Sequence, residues 1–234
     1  MKKVELVAAT SSRIPDVCTE DFTAYIARIG RVKAHPERLL KYLIEHAHWS
    51  PFEHTFLTFK IETSRAIGRE LLRHRSFTFQ ELSQRYEKPV GFEHIETRIQ
   101  CVKNRQSSTD LCDPLVTYHG KEQTASEAVT SFLQHARELY ETLLAVGVAR
   151  ECARFVLPES TTTTILMSGS LRSWIHFLAI RDHADAQKEA RVIAQQIKEI
   201  FIAEFPAIAA AAFQQKTVEV PHAPVAPSQQ AHTS

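Results

Sequence analysis

Apolar residues recur along this chain with two different periods. "TFLTFKIET" alternates, with Leu57, Phe59 and Ile61 on one side and Thr58, Lys60 and Glu62 on the other; this predicts a half-buried antiparallel strand. Over residues 36–47 the spacing is helical. Leu39, Leu40, Leu43 and Ile44 gather on one side, and Pro36 suits the first turn. "KKVELVAA" predicts an opening strand, and Ser64 is placed to cap a helix over roughly residues 65–73. Residues 100–114 read as irregular. A long helix is expected over residues 122–146, with Phe132, Ala136, Leu139 and Leu143 as its apolar stripe and Gly147 as its stop. A short helix over residues 149–155 ends before Pro158, and "TTTTILM" favours a strand. Ser170 can cap a helix running to about Arg181, and a further helix covers roughly residues 184–204. The pattern is α+β: a mostly antiparallel sheet flanked by helices, with the long helices in the C-terminal half. No internal repeat or domain boundary is visible. Residues 1–215 therefore read as one domain, and 216–234, proline-containing and poor in apolar residues, as a mobile tail.

Composition narrows the function classes. At 234 residues, 44% hydrophobic and 24% charged, the chain can bury a substantial core without disulfides or metals. Its 28 basic and 27 acidic side chains leave a formal charge of +1. That balance argues against a global grip on nucleic acid, which needs uncompensated Lys and Arg, but leaves a local anion site open. Cys18, Cys101, Cys112 and Cys152 form no CxxC pair, and Glu5 interrupts the apolar run of "MKKVELVAATSS", which makes a poor signal peptide. No stretch approaches the ~18 apolar residues of a membrane span. The expectation is a cytoplasmic chain with reduced thiols and no membrane partner.

The chemistry is first narrowed by what is missing. There is no GxSxG elbow and no cysteine-enzyme signature. "EHAHWSPFEH" brings His46, His48 and His54 near Glu45 and Glu53, but helical metal ligands need spacings of three or four and His46/His48 offers two; no metal site is expected. His48 keeps interest because it lies at a helix end beside Trp49 and Ser50. No Walker loop or GxGxxG occurs, so any phosphate must be held by arginines, hydroxyls and helix N-termini. Arg73, Arg75, Arg85, Arg154, Arg172 and Arg181 all sit in mixed polar–apolar contexts that suit this role.

Four of these cations or their neighbours crowd one stretch, "RHRSFTFQELSQRY" over residues 73–86, where Phe77, Phe79 and Tyr86 interleave with the charge. If its second half is extended, Glu81, Ser83 and Arg85 share a face; if it is helical, Glu81 and Arg85 are neighbours at i, i+4. Either way an acceptor, a hydroxyl and a fork-shaped donor lie together, an arrangement that fits a phosphate or the edge of a planar base. On these grounds alone the stretch is equally an anion pocket, a single-stranded nucleic-acid surface or a structural ion pair.

Arg73-His74-Arg75, followed by seven residues and Ser83, resembles the signature of the flavin-dependent thymidylate synthases, and "ELSQRY" extends the match. "HWSPFEH" upstream and "RFVLPES", "SLRSWIHFLAIR" and "ADAQKEAR" downstream resemble the same family in the same order, from about residue 35 to 200. The resemblance implies an α+β homotetramer with shared active sites. It implies FAD over the pyrimidine of dUMP, and reductive methylation of dUMP to dTMP with 5,10-methylenetetrahydrofolate as carbon donor and NADPH as reductant. The flavin would carry the redox chemistry and the protein would supply placement and electrostatics.

Position by position, the resemblance implies that Ser50, Arg73, His74, Arg75 and Glu81 contact FAD, with Ser170, Leu171, Arg172 and His176 from the later helix and His48 near the flavin ring. The dUMP site would use Glu70, Leu71, Leu72, Arg73, Glu81, Leu82, Ser83, Gln84, Arg85, Arg154 and Arg181. Arg181 would be the catalytic cation, polarising the pyrimidine at N3 and O4. Two positions depart from the family pattern. Glu70 replaces the more usual Gln, placing an acid beside an anionic nucleotide unless an arginine compensates. Ser170 replaces Asn, which shortens or removes one FAD contact. A family member that binds nucleotide without turnover is the remaining alternative.

Overall fold

The computed structural model describes residues 3–29, 36–89 and 91–213, so the tail expected over 216–234 lies outside the described residues. In chain order the first elements are β1 (Lys3–Ala9), α1 (Thr19–Arg28), α2 (Pro36–Glu45), a 3-10 turn at Ser50–Glu53, β2 (Phe56–Ser64), α3 (Arg65–Leu71) and β3 (Thr78–Glu81). Then come β4 (Arg98–Gln100), β5 (Ser108–Leu111), β6 (Leu115–Tyr118), β7 (Lys121–Thr124), α4 (Ala125–Ala145) and α5 (Arg150–Ala153). A second 3-10 turn at Arg154–Val156 leads into β8 (Thr162–Ser170), α6 (Leu171–Arg181), α7 (Lys188–Glu204) and α8 (Pro206–Phe213).

The alternation at β2 builds the centre of the fold. β2 pairs antiparallel with β8 from Phe56↔Ser170 to Ser64↔Thr162, and β1 and β3 flank them in the order β1-β2-β8-β3. Because side chains alternate across a strand, Leu57, Phe59 and Ile61 of β2 and Ile165 and Met167 of β8 all enter the core. Trp174 and Phe177 of α6 and Ile193, Ala194, Ile197 and Phe201 of α7 belong to the same core. The Trp174 indole N–H, which burial would otherwise strand, donates to the Leu57 carbonyl at 3.2 Å.

Two strand–helix units are laid head to tail across this sheet. β2 runs into α3 and β8 into α6, and each helix start is tied to the residue before the opposite strand. Arg65 N–H donates to the Thr161 carbonyl at 2.9 Å, and Leu171 N–H to the Thr55 carbonyl at 2.9 Å. This matched pair leaves no trace as a sequence repeat, because backbone atoms carry the correspondence.

Several expectations change. Residues 100–114 are not wholly irregular: β4 and β5 form a hairpin there, and β5 is exposed at all four residues. With neither face buried there is no alternation to read. The long helix begins at Ala125 because Thr124 and Glu127 form a capping box, and residues 121–124 pair with β6 instead. The stripe expected on α4 is split: Ala136 turns inward with Ala128 and Tyr140 and Leu143 is half-buried, whereas Phe132 and Leu139 are 47% and 49% exposed. α8 is apolar on all sides, so it shows no period, and its Ile208 N–H is capped by the Glu20 carboxylate at 2.8 Å. Among the described residues no helix is long and apolar enough to cross a membrane.

Candidate active site

α3 ends just before Arg73, and β3 then returns the chain along β8. The intervening turn, residues 72–77, is pressed against α6. Phe77 packs edge-on to Trp174 at 4.6 Å and Ser173 donates its hydroxyl to the Ser76 carbonyl at 3.2 Å. The last residue of α6, Arg181, therefore meets the last turn of α3. Its Nε donates to His74 Nε2 at 2.9 Å, its Nη1 to Glu70 Oε2 at 3.0 Å and its Nη2 to the Glu70 carbonyl at 3.3 Å. The acid at position 70 is thus paired with an arginine.

His74 is half-buried against the Phe177 ring at 4.9 Å. Burial, then the Arg181 charge and the neighbouring His176, push its pKa down to about 4. It is neutral at pH 7, and since Nε2 accepts from Arg181, its proton is on Nδ1. Arg73 and Arg75, on either side, are exposed.

Beside this cluster lies a cavity of about 590 Å³, lined by Trp49, Glu53, Ser76, Arg172, His176 and Ala179 among others. Its size and mixed apolar–polar lining suit a planar aromatic ligand. Ser50 opens the turn that carries Glu53, and His48 is exposed with its ring edge-on to Tyr42 at 6.0 Å. Glu53 organises the near wall: its carboxylate accepts from Ser170 Oγ at 2.6 Å and from Arg172 Nη1 at 2.8 Å. Burial alone would raise the Glu53 pKa, but these two donors outweigh it and the group is held below its ordinary value. Ser170 Oγ also accepts from the Ser173 N–H, capping α6, so its hydroxyl is fully engaged within the protein. Leu171 is wholly buried and its N–H is given to Thr55.

The second half of the stretch goes elsewhere. Glu81 accepts from Thr163 Oγ1 at 2.9 Å and pairs with Arg65 at 3.1 Å. Leu82 N–H adds one bond to the ladder, to the Thr164 carbonyl, and the Ser83 carbonyl then closes a turn by accepting from Tyr86 and Glu87. Arg85 reaches Glu151 of α5 at 3.3 Å, and Arg150 donates to the Tyr86 carbonyl. Glu81 and Arg85 therefore separate, whereas both the extended and the helical readings of this segment kept them adjacent. The strand stops at Glu81, and the turn swings Arg85 towards α5 and the neighbouring Arg154, whose guanidinium sits 5.7 Å from the Phe155 ring. Gln84, only 7% exposed, has an amide nitrogen without a partner among the described residues, as a group awaiting a ligand would.

The two segments that sequence reading assigned to one site do meet: Glu70 and His74 touch Arg181, and Ser76, Arg172 and His176 share one cavity. Glu53, Trp49 and Arg65 were not foreseen. Glu53 was noticed only as a neighbour of histidines, and its partner Arg172 lies 119 residues away. Among the described residues no group of three or more His, Cys, Asp or Glu could hold a metal ion.

Residues 3–207 match the family model described as Thymidylate synthase complementing protein. The chain is 44% identical over 219 residues to a probable flavin-dependent thymidylate synthase of Paramecium bursaria Chlorella virus 1, covering 88% of this chain and 97% of that one. It is 42% identical over 195 residues to the flavin-dependent thymidylate synthase of Synechocystis sp., covering 82% and 88%. Among solved structures it resembles the UMP/dUMP methylase PolB of Streptomyces cacaoi bound with 5-Br UMP. The TM-score is 0.73 and the identity 27%, covering 90% of this chain and 93% of that chain.

Proposed function

This chain belongs to the flavin-dependent thymidylate synthase family, whose members make dTMP from dUMP, and from that premise we propose how its own residues divide the work. The flavin is FAD, 5,10-methylenetetrahydrofolate donates the carbon and NADPH supplies the electrons. The observation that carries this reading is the cavity shared by Ser76 of the arginine-rich turn with Arg172 and His176 of α6. Two segments that the resemblance assigns to flavin thereby form one wall.

Within that cavity Trp49, Ile44, Ile175 and Ala179 supply apolar surface for a ring, and Arg172 and His176 supply donors for polar edges or phosphate. Ser50 and His48 flank Trp49 of its lining in the chain, and His74 and the exposed Arg73 and Arg75 follow from the α3 turn. When bound, the flavin supplies the redox chemistry of the reaction. Arg181 faces the pyrimidine and stabilises negative charge on N3 and O4. Glu81 through Arg85, with Arg154, receive dUMP, and Arg85 and Arg154 meet its phosphate. Leu71, Leu72, Leu82 and Leu171 shape the walls, and Ser83 and Gln84 offer a hydroxyl and an unpaired amide. Ser170 acts on the flavin site through Glu53 and Arg172, which its hydroxyl and backbone position orient.

Residues 1–215 act as one catalytic domain in a cytoplasmic homotetramer. Self-association is supported by Phe132 and Leu139 of α4 and by Val146, its C-cap, which are spaced by seven and are 47%, 49% and 72% exposed. Seven residues are about two helical turns, which puts all three on one stripe, an apolar face that a second copy would cover.

The test is a spectrum of the purified protein, then a dUMP titration. Flavin absorbance, perturbed by dUMP, and dTMP formation dependent on 5,10-methylenetetrahydrofolate and NADPH are expected, with UMP as the control nucleotide. A well-folded protein that stays colourless and takes up no added FAD would overturn the reading.

A further inference from the structure

We propose that Glu70 and His74 are positioning residues that act through Arg181, forming a clamp that fixes its guanidinium and leaves it two N–H groups for the substrate. A guanidinium carries five N–H donors. Here Nε is taken by His74 Nε2, one Nη1 hydrogen by the Glu70 carboxylate and one Nη2 hydrogen by the Glu70 carbonyl, at 2.9, 3.0 and 3.3 Å. One hydrogen on each Nη remains. The Arg181 side chain is 19% exposed and that of Glu70 28%, so the pair is shielded on most sides while an open side persists. The clamp joins the C-terminal ends of the two strand–helix units, since Glu70 lies in the last turn of α3 and Arg181 is the last residue of α6.

This arrangement gives Glu70 a role different from direct contact with the nucleotide. An acid touching dUMP would oppose an anionic ligand, and removing it would tighten binding. An acid that holds a cation in place instead affects turnover, because a loosely held guanidinium must be ordered again in the transition state. His74 completes the clamp only while neutral, since a proton on Nε2 would remove the acceptor and place two cations 2.9 Å apart. The groups facing its ring fit a neutral form: Arg181, His176 and Phe177 from α6, Phe77 from the following turn, and Glu70 from α3 beyond Arg181.

The inference rests on the reading of Arg181 as the group facing the pyrimidine, and the experiment separates the two. In the flavin-loaded enzyme, Glu70→Ala should lower kcat about tenfold or more while the KM for dUMP changes by less than about threefold. Glu70→Gln, which keeps one acceptor, should recover at least half the rate. The double variant Glu70→Ala/Arg181→Ala should be no slower than Arg181→Ala, because two residues acting through one group are not additive. A rise or fall in KM at constant kcat, a Gln variant as slow as the Ala variant, or additive losses would each overturn the clamp. ¹⁵N spectra of the His74 imidazole give a readout independent of turnover. Nε2 should report an unprotonated nitrogen in the parent, and Arg181→Ala should move the ring's titration upward from about 4, part of the way towards its ordinary range, because burial still lowers it. Identical His74 titration in both proteins would overturn the clamp. Arg181→Ala with full dTMP formation but an altered His74 would instead keep the clamp and overturn the role given to Arg181.

Discussion

The Phe77 ring lies against Gly169 so closely that a β-carbon at position 169 would sit 2.4 Å from Cδ1. The ring cannot simply withdraw, because Trp174 packs on it at 4.6 Å and Phe177 at 6.0 Å. The absence of a side chain at the end of β8 is what lets the turn carrying His74 and Ser76 settle onto α6. Gly169→Ala should therefore destabilise the protein by about 1–3 kcal/mol. Thermal melts should show a fall of several degrees, and flavin retention should drop with it. A variant with unchanged melting and full flavin content would show that Phe77 has room to move.

Ser170 serves two neighbours at once, capping α6 through the Ser173 N–H and donating to Glu53. Ser170→Ala should cost about 1–2 kcal/mol, within the range of lost helix caps. In urea unfolding the midpoint should fall at constant slope. Ser170→Asn, which can also cap, should keep most of the stability. Equal losses in both variants would place the effect in the Glu53 contact rather than the cap.

Acid should weaken the fold through His74. Its folded pKa is lowered to about 4 from 6.5, by burial and then by Arg181 and His176. Between these values the unfolded chain binds the extra proton and the folded chain does not, so stability falls as pH drops from 6.5 to 4 and levels off below. Allowing for solvent screening at a half-buried site, the change is about 1–2 kcal/mol. His74→Gln should flatten this part of the stability–pH curve, as measured by urea midpoints at pH 4.5 and 7. A slope unaffected by the substitution would assign it to another group.

The exposed stripe of α4 gives a test of assembly. If α4 lies in the interface of the proposed tetramer, Leu139→Glu should shift the protein towards smaller species in sedimentation experiments, with little loss of helix content, because the side chain is already half exposed within one chain. An unchanged sedimentation coefficient would remove α4 from the interface.

Elements with one face in the core were the legible ones. The alternation of Leu57, Phe59 and Ile61 located β2 to within a residue, and Ser64 and Ser170 marked both helix starts. Ser64 holds the N-cap position without a side-chain cap bond, so the residue type was informative even where the bond is absent. The β4–β5 hairpin, exposed along β5, and the uniformly apolar α8 gave no period to follow. Of the α4 stripe, Ala136 faces inward but Phe132 and Leu139 stay exposed, since periodicity shows that a face is apolar and not what covers it. In the site, the arginine-rich motif and its downstream partners drew attention to segments that the fold brings together at Arg181 and around one cavity. The pairings were not legible: Glu81 turns to Arg65 and Arg85 to Glu151, while Glu70 finds Arg181. Such choices depend on which helix ends the sheet brings together.

The head-to-tail strand–helix units also set when the site can come into being. His74 and Glu70 meet Arg181 across 107 and 111 residues of chain, and Glu53 meets Ser170 and Arg172 across 117 and 119. Contacts this distant form late, after the entropy of closing a long loop has been overcome. At ribosomal rates the N-terminal unit waits roughly 5–20 s for its partner strand to be made. During that interval the edge of β2 that pairs with β8 has no partner strand. The cofactor cannot shorten the wait. The cavity proposed for it has walls from both units, so there it can only hold together by mass action a fold that the chain has already completed.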